Sequence, residues 1–183
     1  TTAYDTGYNS AGDPFVARFD PTASGTSSLT YASFVGGGNA TQPDEAFAVA
    51  VESTFVFIVG YTESSSFHTK SAYDSSHNGG EDCFLMKLDP SLSPSQQLRY
   101  ATFLGGQAAE RLLGLVVKQG VFTACGFTDA TGGGFPTNGY YPAFQTSSGG
   151  NYDAIVVQLD PNNSSQLQYS TYLGGLYDDL AYS

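Results

Sequence analysis

Tryptophan is absent from the 183 residues, methionine occurs once, cysteine and histidine twice each, and Lys and Arg together number six. Against seventeen Asp and Glu this leaves a net charge of −11, which repels a polyanion and argues against nucleic acid as a partner. Runs of apolar residues such as Phe55 to Val59 are too short to cross a bilayer, so no membrane span is expected. The Gly-x-Ser-x-Gly elbow, the His-Glu-x-x-His pair and the phosphate-binding Gly-x-x-x-x-Gly-Lys-Ser/Thr loop are all missing, and no enzyme chemistry is indicated. His68 and His77 fall in one loop region and do not recur, which argues against a triad or zinc role. The first residue is Thr1 and no signal-peptide pattern precedes it, as expected of a processed product or a cut fragment.

Hydrophobic residues make up 40% of the chain, enough for a packed core. Glycine at 22, with 13 Tyr and 13 Phe, favours short strands joined by tight turns over long helices. An internal repeat decides the matter. Asp13 to Pro21 (DPFVARFDP), Asp82 to Pro90 (DCFLMKLDP) and Asp153 to Pro161 (DAIVVQLDP) match one another. Each is followed by a second matched run: Leu29 to Gly37, Leu98 to Gly106 and Leu167 to Gly175. Ala46 to Val51 matches Leu112 to Val117, a further copy begins at Leu180, and Phe55 to Thr62 matches Val121 to Thr128. The period is about 70 residues and holds four short β-branched and aromatic runs, none with a helical stripe.

Four strands per repeat is the grammar of a β-propeller blade. Asp-Pro after the third strand suits a type I turn, and Gly-Gly after the fourth gives backbone freedom. The expected fold is all-β: propeller-like tandem blades of four antiparallel strands, two and a half blades in all. Residues 1–38 supply a partial blade, 39–106 and 107–175 complete blades, and 176–183 the start of a further innermost strand. Ala46–Val51 is innermost, with small residues for a crowded centre, followed outward by Phe55–Gly60, Cys83–Leu88 and Leu98–Leu104. Strand alternation puts Leu98, Tyr100, Thr102 and Leu104 of the outermost strand on one face.

Asp82–Pro90, Leu98–Gly106, Gly60-Tyr61-Thr62 and Phe135-Pro136-Thr137 together resemble the SBBP (seven-bladed β-propeller type) repeat family over essentially the whole chain. The resemblance implies a propeller-like fold in secreted or cell-surface proteins and no catalytic residues. Phe67-His68-Thr69 departs from the Phe-Pro-Thr pattern, and Asp178-Asp179 is replaced by Asp44-Glu45 and Glu110-Arg111 in the other copies.

Several residues stand out as candidate sites. Asp74, Asn78, Glu81 and Asp82 offer hard oxygens at a spacing that fits calcium, echoed by Asp5, Asn9 and Asp13 and thinned to Gln145, Gly149 and Asp153 in the third copy. The simpler role for Asp13, Asp82 and Asp153 is capping backbone N–H groups of the preceding loop. No other cofactor is implied. Cys83 and Cys125 form an even pair, either a disulfide or, as the strand register favours, two buried thiols. Asn39, Asn162 and Asn163 begin N-glycosylation triplets. Tyr140 and Tyr141, after Gly132-Gly133-Gly134, mark the variable contact loop. These features lead to the expectation of a non-enzymatic extracellular structural or adhesive building block, self-associating head to tail or joined to other blades of its parent. The rival is a glycan-binding propeller module.

Overall fold

The computed structural model describes residues 2–8, 12–38, 41–129 and 134–183. Among them are ten strands: β1 (Phe15–Phe19), β2 (Leu29–Phe34), β3 (Asp44–Glu52), β4 (Phe55–Thr62), β5 (Asp82–Leu88), β6 (Leu98–Leu104), β7 (Glu110–Lys118), β8 (Val121–Asp129), β9 (Tyr152–Leu159) and β10 (Leu167–Leu173). Every pairing between these strands is antiparallel, and no sheet closes on itself. β1 and β2 form a two-stranded sheet, β3 to β6 a four-stranded sheet in chain order, and β7 to β10 a second one. The fold is all-β, and the two complete repeats coincide with the two four-stranded sheets.

The sheets stack in three layers. Phe57, Val59, Leu85, Tyr100 and Leu104 of the middle sheet meet Phe122, Ile155, Val157, Leu159 and Leu167 of the β7–β10 sheet in one buried cluster. Ile58, Phe84, Met86 and Phe103, on the opposite face of the middle sheet, pack with Val35 and Val16 of the two-stranded sheet. The middle sheet is thus covered on both faces, and Cys83, Phe84, Leu85 and Met86 are buried in succession along β5. Such a strand needs apolar residues at every position, which explains why its sequence does not alternate.

The turns follow their residue chemistry. Asp20, Asp89 and Asp160, each before a proline, accept a hydrogen bond from the backbone N–H two residues on, at 2.9, 3.1 and 2.9 Å. The N–H of the same aspartates bonds back to Ser28, Gln97 and Gln166 carbonyls, closing each connection. Within the second of these lies a single-turn helix, α1 (Pro94–Gln97).

The outermost strand corrects the expected alternation. Lys87 pairs with Tyr100 but Leu88 pairs with Leu98, so Arg99 is the extra residue of a β-bulge. Leu98 therefore faces the two-stranded sheet, while Tyr100 and Leu104 face the β7–β10 sheet. Equivalent shifts fall between Arg18 and Phe19 in β1 and between Leu167 and Tyr169 in β10.

A second feature lies in the long segments between the second and third strands, which run back along the outermost strand. Lys70 exchanges both backbone bonds with Ala101, and Phe103 N–H reaches Asp74 O at 3.1 Å. Tyr172 N–H reaches Gln145 O, and Tyr140 and Tyr141 N–H reach Leu167 and Gln168 carbonyls. Phe67 and Phe135 anchor these straps in the two cores. A strap occupies the edge that a bare outer strand would offer to other chains.

Candidate functional site at the sheet joints

The chemistry of this chain concentrates where one sheet meets the next, and the same parts recur there. Tyr31 Oη donates to Gln97 Oε1 at 2.8 Å across the first joint, and Tyr100 Oη donates to Gln166 Oε1 at 2.8 Å across the second. The two glutamines also donate through Nε2, to Thr2 and Leu92 carbonyls and to Ser71 O respectively. Glu52, at the end of β3, accepts from Gln119 and Gly120 N–H at the β7–β8 turn, at 2.6 and 2.7 Å. Arg111 in β7 holds both carboxylate oxygens of Glu81 (2.5 and 2.6 Å) and lies 4.3 Å over the Tyr61 ring. Aromatic edges complete the joint, with Phe57 against Phe122 at 5.1 Å.

A carboxylate pair faces the first glycine of each Gly-Gly step, two of them at the joints and the third beyond the end of β10. A Cβ on Gly105 would lie 2.7 Å from Glu110 Oε2 and 2.8 Å from Asp82 Oδ1. On Gly36 it would lie 2.7 Å from Asp13 Oδ1 and 2.9 Å from Asp44 Oδ2, and on Gly174 it would meet Asp153 Oδ1 and Asp179 Oδ2. The glycines are required because any side chain would displace the carboxyls. One member of each pair lies at or just before the start of a third strand and the other follows the Gly-Gly step. Asp44 Oδ2, Glu110 Oε2 and Asp179 Oδ2 accept from Gly37, Gly106 and Gly175 N–H at 2.7, 2.9 and 2.7 Å. Asp82 Oδ2 accepts from Asn78 N–H at 2.8 Å, and Asp153 Oδ2 from Gly149 and Gly150 N–H. One oxygen each of Asp44, Asp82 and Asp153 is buried with no hydrogen-bond donor. Burial pushes the Asp44 and Asp82 carboxyls above their ordinary range, and it raises Glu110 to about 7.

All six acids recur visibly in the sequence, but nothing in it shows that they pair. The second members, Asp44, Glu110 and Asp179, belong to the recurring acids after the Gly-Gly step, but their spacing from it varies. Asp44 lies seven residues beyond its Gly37 donor, whereas Glu110 and Asp179 lie four beyond theirs. The available signal was an acid shortly after every Gly-Gly.

Of the four calcium candidates, Asp74 and Asp82 are linked through Asn78, which donates its Nδ2 to Asp74 and its backbone N–H to Asp82, while Glu81 is turned away. Both Glu81 oxygens are on Arg111, Asp74 accepts from Ser76 N–H and from Asn78 Nδ2, and Asp82 turns toward Glu110. Among the described residues no group of three or more His, Cys, Asp or Glu is placed to hold a metal ion. Cys83 and Cys125 are free thiols, so no bridge joins them. Cys83 lies in the core between the two larger sheets. Cys125 follows Ala124 of that same core along β8 and so points to the opposite face. Burial raises both thiols. His77 stands edge-on to Phe103, and His68 Nδ1 lies 3.3 Å from Tyr4 Oη.

Tyr140 and Tyr141 stand in the strap on β10 as a perpendicular, exposed pair with centroids 4.9 Å apart. Tyr140 borders a hollow of about 340 Å³ with Tyr73, Asn138, Ser165 and Gln166. Asn162 and Asn163 are exposed in the β9–β10 connection, where Asn163 Oδ1 accepts from Ser165 N–H. Asn9, Asn39 and Gly132-Gly133 lie outside the described residues. No helix among the described residues is long and apolar enough to cross a membrane. No protein-family model matches the chain, and no curated protein matches it.

Proposed function

We propose that this chain is a structural repeat module whose sheets are propeller-like blades, and that its function is to join copies of itself head to tail. A secreted or cell-surface setting, non-enzymatic and adhesive, belongs to the same proposal. One observation carries it: equivalent positions are covered inside the stack and open at its two outer faces. On the trailing side Val35 and Leu104 are 0% exposed beneath the following sheet, whereas Leu173, their counterpart in β10, is 51% exposed. On the leading side Phe84 and Ile155 are 0% exposed, whereas their counterpart Phe15 is 70% exposed. Phe19 and Leu29 are open in the same way, while their counterparts in the two complete repeats are buried. Each internal joint brings a trailing face onto a leading face, so the open leading face of one copy matches the open trailing face of another. Such a contact is heterologous, and it yields a ring or a filament according to whether its rotation closes.

The groove beside β1 supports the same reading. About 530 Å³ of space lies between β1 and the uncovered part of β3 and β4, lined by Phe15, Ala17, Phe47, Val49, Val51 and Val56. In a full blade the two inner strands would fill that volume.

Two surface variants test the proposal. Phe15→Asp spoils only the leading face and Leu173→Asp only the trailing face, and both sites are exposed, so folding is preserved. In sedimentation velocity the native chain should form oligomers that grow with concentration, and each variant alone should stay monomeric. An equimolar mixture should stop at dimers, because one sound joint remains. Dimers from a single variant, or a native chain that stays monomeric at about 1 mM, would sink the idea.

A further inference from the structure

We infer that Asp82 and Glu110 share one proton, Glu110 Oε2 donating to Asp82 Oδ1, and that this bond is a pH-dependent latch between the two four-stranded sheets. Asp82 opens β5 in the middle sheet and Glu110 opens β7 in the next, so the bond spans the joint. Both residues are fully buried. Their facing oxygens border one small volume over Gly105.

Every other oxygen of the pair already has a donor. Asp82 Oδ2 takes Asn78 N–H, Glu110 Oε2 takes Gly106 N–H, and Glu110 Oε1 takes the Thr128 hydroxyl at 3.0 Å. Only Asp82 Oδ1 lacks one. A buried carboxylate oxygen without a donor is costly, and two charged carboxylates this close cannot both stay ionised without a compensating charge. One proton between them removes both problems, because Glu110 Oε2, already accepting from Gly106 N–H, donates it to the one oxygen of Asp82 that lacks a donor.

A cation in the same volume fits poorly. Hard dications want about six to eight oxygen ligands, whereas two carboxyls meet here amid backbone N–H donors whose positive ends face inward.

The groups surrounding the pair come from every packed element. Asp129 at the end of β8 and Asp74 in the strap add negative charge, and His77 in the strap favours the charged form of Asp82. The Cys83 thiol in β5 and the Tyr172 phenol in β10, both raised first by burial, also feel the charge of Glu110. Glu81, next along the chain, is neutralised by Arg111. Burial is the largest influence on both carboxyls, and it lifts Glu110 to about 7 from the ordinary value of 4.5. The native state therefore keeps a proton that the unfolded chain releases. Stability from this source is full below pH 4.5 and is lost as pH rises through about 7.

The test combines two measurements on the whole chain. Side-chain carboxyl ¹³C NMR should show Glu110 titrating near neutrality, and the melting temperature should fall by about 5–10 °C between pH 5 and pH 8. Glu110→Gln, whose amide donates to Asp82 at every pH, should remove most of that fall. His77→Asn should leave it in place, separating the pair from the histidine. Because the chain is acidic throughout, the difference between native and Glu110→Gln slopes is the deciding quantity. A Glu110 carboxyl that titrates with ordinary glutamates, or equal slopes in the two proteins, overturns the inference. So does calcium that raises the native melting temperature at pH 8 but not that of Glu110→Gln. Should Glu110→Gln fail to fold, the native titration alone decides.

Discussion

Gln97 is buried without solvent contact and spends its whole amide on the first joint, accepting from Tyr31 and donating to the Thr2 and Leu92 carbonyls. Gln166 plays the same part at the second joint but is only half-buried. This difference in solvent access separates two otherwise equal substitutions. Tyr31→Phe strands a buried carbonyl oxygen and should cost about 1–3 kcal/mol. Tyr100→Phe leaves an oxygen that water can reach, so the loss should fall near 0.5–1 kcal/mol, roughly the net worth of one exchanged hydrogen bond. Urea unfolding of the two variants measures both. The reverse order would mean that the tyrosine rings, not their hydroxyls, set the strength of the joint. Tyrosine and glutamine recur in the sequence, yet their pairing was not legible there, because partners 66 residues apart meet only when the sheets stack.

At the level of elements, the recurring Gly60 and Gly126 show what periodicity could and could not reveal. Strand positions, strand order and the Asp-Pro turns followed from the repeat, since alternation and turn chemistry are local. The bulges were not visible. β3 skips a register between Ala46 and Ala48 and β7 between Leu112 and Gly114, which drives a carbonyl into the space beside each glycine. A Cβ there would stand 1.8 Å from Glu45 O or Arg111 O, closer than backbone can yield. Gly60→Ala should therefore destabilise the chain by about 1–3 kcal/mol through overpacking, seen as a lower thermal midpoint. A variant within about 0.5 kcal/mol of the native chain would show that the bulge can relax. The pairing of the acids was not legible for a related reason. Gly36, Gly105 and Gly174 look like simple turn glycines until the strand on either side brings a carboxyl over them.

For the whole molecule, charge and apolar surface pull in opposite directions. The chain carries a net charge of −11, so two copies approaching face to face repel one another. The faces proposed to meet are apolar, with Phe15, Phe19 and Leu29 on one and Leu173 on the other. Burial of such surface is insensitive to screening, whereas the repulsion fades as the Debye length shrinks from about 30 Å at 0.01 M salt to about 10 Å at 0.1 M. Head-to-tail association should therefore strengthen as sodium chloride rises from about 0.01 to 0.5 M, where repulsion beyond a few ångströms is gone. Joints built on opposite charges would behave the other way. Sedimentation equilibrium across that series reads the sign directly. Mixing Phe15→Asp with Leu173→Asp chains at each salt concentration isolates one joint from the rest. If the mixed dimer tightens with salt, apolar stacking holds copies together against their charge. If it loosens, an unrecognised charge contact is the true joint, and the open apolar faces serve something else.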